Sequence, residues 1–205
     1  MLDFNKGIVV IGDVHCKVHR YHNILKQSDC STIQVGDFGL QDENDWHMAN
    51  IDPSKHQVNF GNHDYNPYVD KPHSCGHFRY FRDWKIMTIR GALSSDKHLR
   101  LEGYDLFEND EELNYDQMGD ALDLYISVKP EIMITHDCPQ SVMMELFDFN
   151  ENTKYYKSGT RQGLQSAFEI HQPAIWLFGH YHRSKDEMIN GTRFICLAEL
   201  ETFNI

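Results

Sequence analysis

Eight side chains in this sequence have the chemistry to bind a metal ion or move a proton, and they sit in recurring surroundings: Asp13, His15, Asp37, Asn62, His63, His136, His180 and His182. All are oxygen or imidazole donors. They fall in five short polar clusters, GDVH, GD, GNHD, HD and GHYH. One histidine or Asx in a loop is ordinarily a turn former or a satisfied polar group. Five such clusters, each following a short apolar run, point instead to a common ligand, and a cation is the simplest. Carboxylate, amide and imidazole donors without thiolate suit Mn, Fe, Zn or a similar divalent ion, whereas a Mg or Ca site would use fewer histidines. The five cysteines (Cys16, Cys30, Cys75, Cys138, Cys196) are odd in number and form no C-x-x-C pair. Neither a disulfide framework nor a zinc knuckle is expected, and the thiols are read as reduced. Cys16 and Cys138 adjoin candidate ligands, but neighbouring side chains in extended backbone point to opposite sides.

The elements that must position these residues are legible as strand-length apolar runs: Ile8 to Ile11, Thr32 to Val35, Gln57 to Phe60, Ile86 to Ile89, Glu131 to Thr135 and Ala174 to Phe178. Nearly continuous Val- and Ile-rich runs predict sheets covered on both faces. Between them, apolar residues recur with helical period at Val18, Tyr21 and Leu25, at Ala121, Leu122, Leu124, Tyr125 and Val128, and at Leu164, Ala167 and Phe168. Pro130 and Pro173 stop the second and third of these helices. Alternating strands and helices predict an α/β fold, in which ligands gather at the carboxyl ends of strands. The polar clusters all lie at such ends. Gly12, Gly36, Gly61 and Gly179 precede the ligands, as expected where a chain turns sharply and backbones crowd together. A final strand, Arg193 to Leu197, follows Asn190-Gly191 and is predicted to pair as a hairpin with a neighbouring strand.

In their order along the chain, Asp13-x-His15, Gly36-Asp37, Gly61-Asn62-His63-Asp64, His136 and Gly179-His180-x-His182 resemble the motifs of the calcineurin-like metallophosphoesterases. The resemblance spans Asp13 to His182 and includes every motif in family order. It implies a four-layer αββα sandwich of two mixed sheets with the active site at strand ends. It also implies that Asp13, His15 and His182 hold one metal, that Asn62, His136 and His180 hold another, and that Asp37 bridges the two. His63 would then stabilise the transition state or protonate the leaving oxygen, a role suited to a group whose ordinary pKa is near neutrality. Asp64 is a candidate to orient His63, although adjacent side chains rarely face each other. The implied reaction is hydrolysis of a phosphomonoester or phosphodiester by a metal-bound hydroxide, with two divalent ions, Mn2+ preferred and Fe, Zn or Ni as alternatives.

Phosphoprotein phosphatases of that family carry an Arg and a second Asp soon after the GD element, whereas here the stretch reads GDFGLQDENDW. A phosphate clamp must come from elsewhere. Lys17, Arg90, Lys97, Arg100, Arg161 and Arg183 are the candidates, and Arg183, beside His182, is the one placed by sequence near the site. The mid-chain aromatics Tyr65, Tyr68, Phe78, Tyr80, Phe81 and Trp84 could wall a pocket for a base, although core packing accounts for most. The 205 residues hold 19 Lys and Arg against 31 Asp and Glu, a formal charge of −12. That balance, with the acidic run Glu108 to Glu112, disfavours nonspecific nucleic-acid binding. No segment approaches the ~18 uninterrupted apolar residues of a membrane helix, and the start lacks a secretory signal, so a cytoplasmic single domain over 1–205 is expected. A nucleotide or small-molecule phosphate ester is the expected substrate. A serine/threonine phosphoprotein phosphatase, or a catalytically silent metal-binding scaffold, are the alternatives.

Overall fold

A computed structural model describes residues 7–39, 50–64, 66–94, 111–147 and 157–205. Tyr65, Lys97, Arg100 and Glu108 to Asp110 lie outside the described residues. The first sheet has the order β10-β1-β2-β3, with β1 Ile8–Ile11, β2 Ser31–Gln34, β3 His56–Val58 and β10 Thr202–Asn204. The second runs β4-β5-β6-β7-β9-β8, with β4 Phe78–Phe81, β5 Ile86–Ile89, β6 Ile132–Thr135, β7 Ile175–Phe178, β8 Lys185–Ile189 and β9 Thr192–Cys196. Both sheets are mixed. Parallel interiors are flanked by the antiparallel strands β10, β4 and β8. The helices are α1 Val18–Gln27, α2 Tyr115–Val128, α3 Gln140–Phe147 and α4 Gly159–Ile170.

Strand alternation builds three apolar layers from these two sheets. Ile8 and Val10 of β1 join Ile33, Val35, Ile86, Ile134, Leu177 and Ile195 in a core between the sheets. Val9 and Ile11 point the other way, toward Tyr21 of α1 and Phe38. On the far side, Met87, Met133, Trp176 and Phe194 pack against Ala121, Tyr125, Leu164 and Phe168 of α2 and α4. The result is the αββα sandwich that the motifs imply. The helix ends are set locally: Asn114 and Gln117 form a reciprocal capping box on α2, and Ser158 caps α4 by accepting from Arg161 N. At the other ends Pro130 and Pro173 follow within two residues of the C-caps Lys129 and His171, as expected.

Some elements depart from the sequence reading. Phe78 to Phe81 form an edge strand that the sequence did not signal, in which Phe81 fills core, the role expected for most of the mid-chain aromatics. Helix α3 went unread because it is short and follows directly on the HDCP cluster. The Arg193 strand is not the last: its hairpin partner is the preceding β8, through Asn190 and Gly191, whose φ of 48° and 86° give the left-handed turn that Asn-Gly favours. The chain then crosses back to the first sheet, where β10 pairs antiparallel with β1.

Register places the chemistry. Ile11, Gln34 and Val58 are aligned at the carboxyl ends of β1, β2 and β3, and Ile89 and Thr135 at those of β5 and β6. Asp13, Asp37, Asn62, His136 and His180 each follow such an end within a few residues.

Candidate metal centre

Four ligand atoms, one each from Asp13, His15, Asp37 and His182, lie within 4.8 Å of one another, and a second such group comprises Asp37, His136 and His180. Asp37 belongs to both. In the first group His15 Nε2 and His182 Nε2 are 2.8 Å apart. Asp13 Oδ2 lies 3.3 Å from His182 Nε2 and 3.8 Å from His15 Nε2. In the second, His136 Nε2 is 3.2 Å from Asp37 Oδ1 and 3.0 Å from Asn62 Oδ1. The Asn62 amide donates to Ser94 Oγ at 2.8 Å, which turns its oxygen toward His136. The seven residues expected as ligands are thus brought together. Asp13, Asp37 and His136 are buried, while His15 and His182 are open to solvent on one side.

Bringing them this close requires unusual backbone. His15, Asp37, His180 and His182 all have positive φ (46°, 55°, 69° and 52°), a region that costs a non-glycine residue about 1–3 kcal/mol. The concentration of strain at one point marks the place where geometry outranks local preference. Crowding is equally specific at Gly61, where an added Cβ would sit 2.2 Å from Asp37 Oδ1 and 2.6 Å from His136 Nε2.

The carboxylates and imidazoles of the cluster shift one another's protonation. Burial works to raise the Asp13 and Asp37 carboxyls, yet the facing imidazoles hold both below the usual carboxylate range. For His136, burial opposes the charged form, but Asp37, Asp13 and Asp64 push it up to about 9. Contact with Asp13 likewise raises His15. His180 is pushed down to about 4 by burial and so stays neutral at pH 7. Converging electron pairs from two carboxylates, an amide and several imidazoles, in part shared through protons, are the donor set a divalent cation takes up when it displaces those protons. The residues present fit such a group.

The remaining candidates are placed as follows. His63 donates its backbone N–H to Asp37 Oδ1 at 2.9 Å, and its ring lies 5.7 Å from that of His15. The Asp64 carboxylate accepts from Gly39 N at 2.7 Å and Gly61 N at 2.8 Å, and it pins two ligand-bearing loops to each other. Burial and the charge of Asp37 push it up to about 6. Arg183 is exposed beside His182. Arg90 is buried, its Nε 2.8 Å from His77 Nδ1, and Arg161 is buried against Asp137. Lys17 pairs with Glu199. The described cysteines are all free thiols. No helix among the described residues is long and apolar enough to cross a membrane. Sequence reasoning missed Ser94, Asp137 and Tyr181. Their one signal was position: the last two adjoin ligands.

No family model and no curated protein matches this sequence. Solved structures do match over nearly the whole chain. The protein TT1561 of Thermus thermophilus is 12% identical with a TM-score of 0.56, covering 97% of this chain and 98% of its own. The phosphopantetheinyl hydrolase PptH of Mycobacterium tuberculosis is 10% identical with a TM-score of 0.54, covering 95% and 90%. GAP50, the anchor in the inner membrane complex of Plasmodium, is 11% identical with a TM-score of 0.50, covering 93% and 70%. The fold is that of the calcineurin-like metallophosphoesterases.

Proposed function

We propose that this protein is a divalent-metal-dependent phosphoesterase whose centre takes two cations. The observation that carries the reading is the Asp37 carboxylate, which is shared by two groups of converging ligand atoms at the carboxyl ends of parallel strands. Asp13, His15 and His182 would hold one ion, Asn62, His136 and His180 the other, and Asp37 both. When bound, such ions supply Lewis acidity toward phosphoryl oxygens and acidify water at neutral pH. Mn2+ is the favoured ion, with Fe, Zn and Ni as alternatives for the same donors.

The protein's own contribution is orientation and proton transfer. His63, anchored through its N–H to Asp37, presents an imidazole at the rim, where it can donate a proton to a departing alkoxide. The exposed side of His15 and His182 leaves the cluster open to an incoming ester. Among the described candidates Arg183, exposed beside them, is the basic group offered to a phosphate oxygen, since Arg90 and Arg161 are buried and Lys17 is paired. A phosphate ester of a nucleotide or other small molecule is the substrate class. The stretch after Asp37 lacks the arginine that phosphoprotein phosphatases carry, and the net charge of −12 disfavours polynucleotides. We place the reaction in a single domain spanning 1–205, in the cytoplasm.

One fold serves both enzymes and silent scaffolds, and an anchor protein is among the structures similar to this chain. The test is hydrolysis of p-nitrophenyl phosphate and bis(p-nitrophenyl) phosphate with Mn2+, before and after chelation, in the wild type and in Asp37→Ala. Metal-dependent turnover that Asp37→Ala abolishes supports the proposal. Metal-dependent thermal stabilisation without turnover of either ester would identify a scaffold instead.

A further inference from the structure

The loops that carry His136 and the His180 and His182 pair are joined behind the centre by buried polar groups that donate nothing to it. Asp137, directly after His136, is fully buried. Its Oδ1 accepts from Tyr181 Oη at 2.6 Å and from Cys138 N at 2.8 Å, and its Oδ2 lies 3.3 Å from Arg161 Nη1. Arg161, equally buried, also reaches Gln140 Oε1 through Nε at 3.3 Å. Tyr181 lies between His180 and His182, and its phenol reaches Asp137 while each neighbouring imidazole belongs to one of the two ligand groups. That phenol ring is stacked on Phe147, with centroids 4.1 Å apart, and meets the His180 ring edge-on at 5.0 Å. Alongside, Gly179 N donates to His136 O at 3.1 Å.

A buried ion pair adds little net stability compared with apolar side chains of the same volume, so stability is a poor reason for this one. Its geometry supplies a better reason. Groups behind the ligands orient them, and their loss weakens metal affinity. Here one carboxylate is bonded to the hydroxyl of the residue between two ligands and is itself attached to the residue after a third. The guanidinium of α4 fixes that carboxylate from a different layer.

We propose that Asp137, held by Arg161 and Tyr181, is a positioning residue that sets the spacing of His136 from His180 and His182, and thereby the affinity of the centre for its cations. The inference rests on the two-cation reading above. It is tested with Co2+ as probe, by calorimetric titration and visible absorption of the wild type, Tyr181→Phe, Arg161→Met and Asp137→Asn, each checked for fold by circular dichroism. The expected result is uptake of two Co2+ by the wild type, with affinity about 10–100-fold weaker and altered band intensities in Tyr181→Phe, whose circular dichroism is unchanged. If Tyr181→Phe and Arg161→Met bind Co2+ with wild-type affinity and spectra and only melt earlier, the residues are structural and the proposal is overturned. Should Asp137→Asn fail to fold, the Tyr181→Phe result decides. A wild type that binds no Co2+ overturns the two-cation reading itself, an outcome distinct from two bound ions that the variants leave unaltered.

Discussion

Replacing Gly179 by alanine adds a single methyl group at the most crowded point of the centre. The new Cβ would lie 2.0 Å from Asp13 Oδ1, 2.7 Å from Val35 Cγ2 and 3.1 Å from Asp13 Cγ. The first distance is about 1.4 Å inside the 3.4 Å lower edge of ordinary contact. Asp13 and Val35 are both fully buried, so neither can swing into solvent. The backbone is also tethered, by Gly179 N to His136 O at 3.1 Å and by His180 N to Asp13 Oδ2 at 3.0 Å. Relief must come from displacing the Asp13 carboxylate by roughly an ångström, which breaks its bond to His180 N and its approach to His182. Ligand geometry tolerates about 0.5 Å, and a misplacement of about 1 Å costs on the order of 100-fold in rate. Overpacking costs about 1–3 kcal/mol, and each kcal/mol lowers Tm by roughly 2–4 °C in a chain of this size. We expect Gly179→Ala to lose about 100-fold in kcat/KM on p-nitrophenyl phosphate with Mn2+, to bind Mn2+ more weakly by calorimetry, and to melt several degrees earlier. Gly119→Ala is the control: that glycine is exposed on α2 with nothing within 4 Å of an added Cβ, so it should be neutral or stabilising by up to ~1 kcal/mol. A Gly179→Ala protein with wild-type Mn2+ affinity and turnover would refute the claim that Asp13 is a ligand held by this close packing.

Mn2+ at a hundredfold excess over its Kd should stabilise the fold by about 2.7 kcal/mol for each site, read as a rise in Tm that chelation reverses; an unchanged Tm would argue against cation binding. His63→Asn should lower kcat by about 10²–10⁴-fold while calorimetric Mn2+ affinity stays at the wild-type value, whereas an equal loss of affinity would make His63 a ligand. Away from the centre, burial and the charge of Lys71 push His73 down to about 4 from an ordinary 6.5. Between these values the unfolded chain binds a proton that the folded chain refuses, so stability should fall as pH drops through 6.5 and level off below about 4. In urea titrations His73→Gln should flatten that limb, and an unchanged pH profile would exclude the assignment.

The parallel strands were legible because both of their faces are buried. Ile8 to Ile11 and Ala174 to Phe178 are continuous apolar runs, and each ends in a polar cluster that the fold leaves at the sheet's carboxyl edge. Edge strands give no such signal. Thr202 to Asn204 is three residues long with its side chains largely exposed, and only pairing with β1 makes it a strand. The arginines show the same limit. Arg161 reads like any surface cation on a helix until packing buries it against Asp137, 24 residues away.

Local chemistry in the chain determined which groups could serve as ligands, because donor type and the turn after each apolar run are properties of neighbouring residues. Their convergence is a different matter. That Asp37 stands between two sets of imidazoles, that Asp64 pins two loops by their amides, and that Tyr181 is fastened behind the histidines it separates, depends on contacts between residues far apart in sequence. Strand register and the stacking of two sheets create those contacts, since hydrogen bonding and burial between distant segments fix positions that no stretch of a few residues specifies.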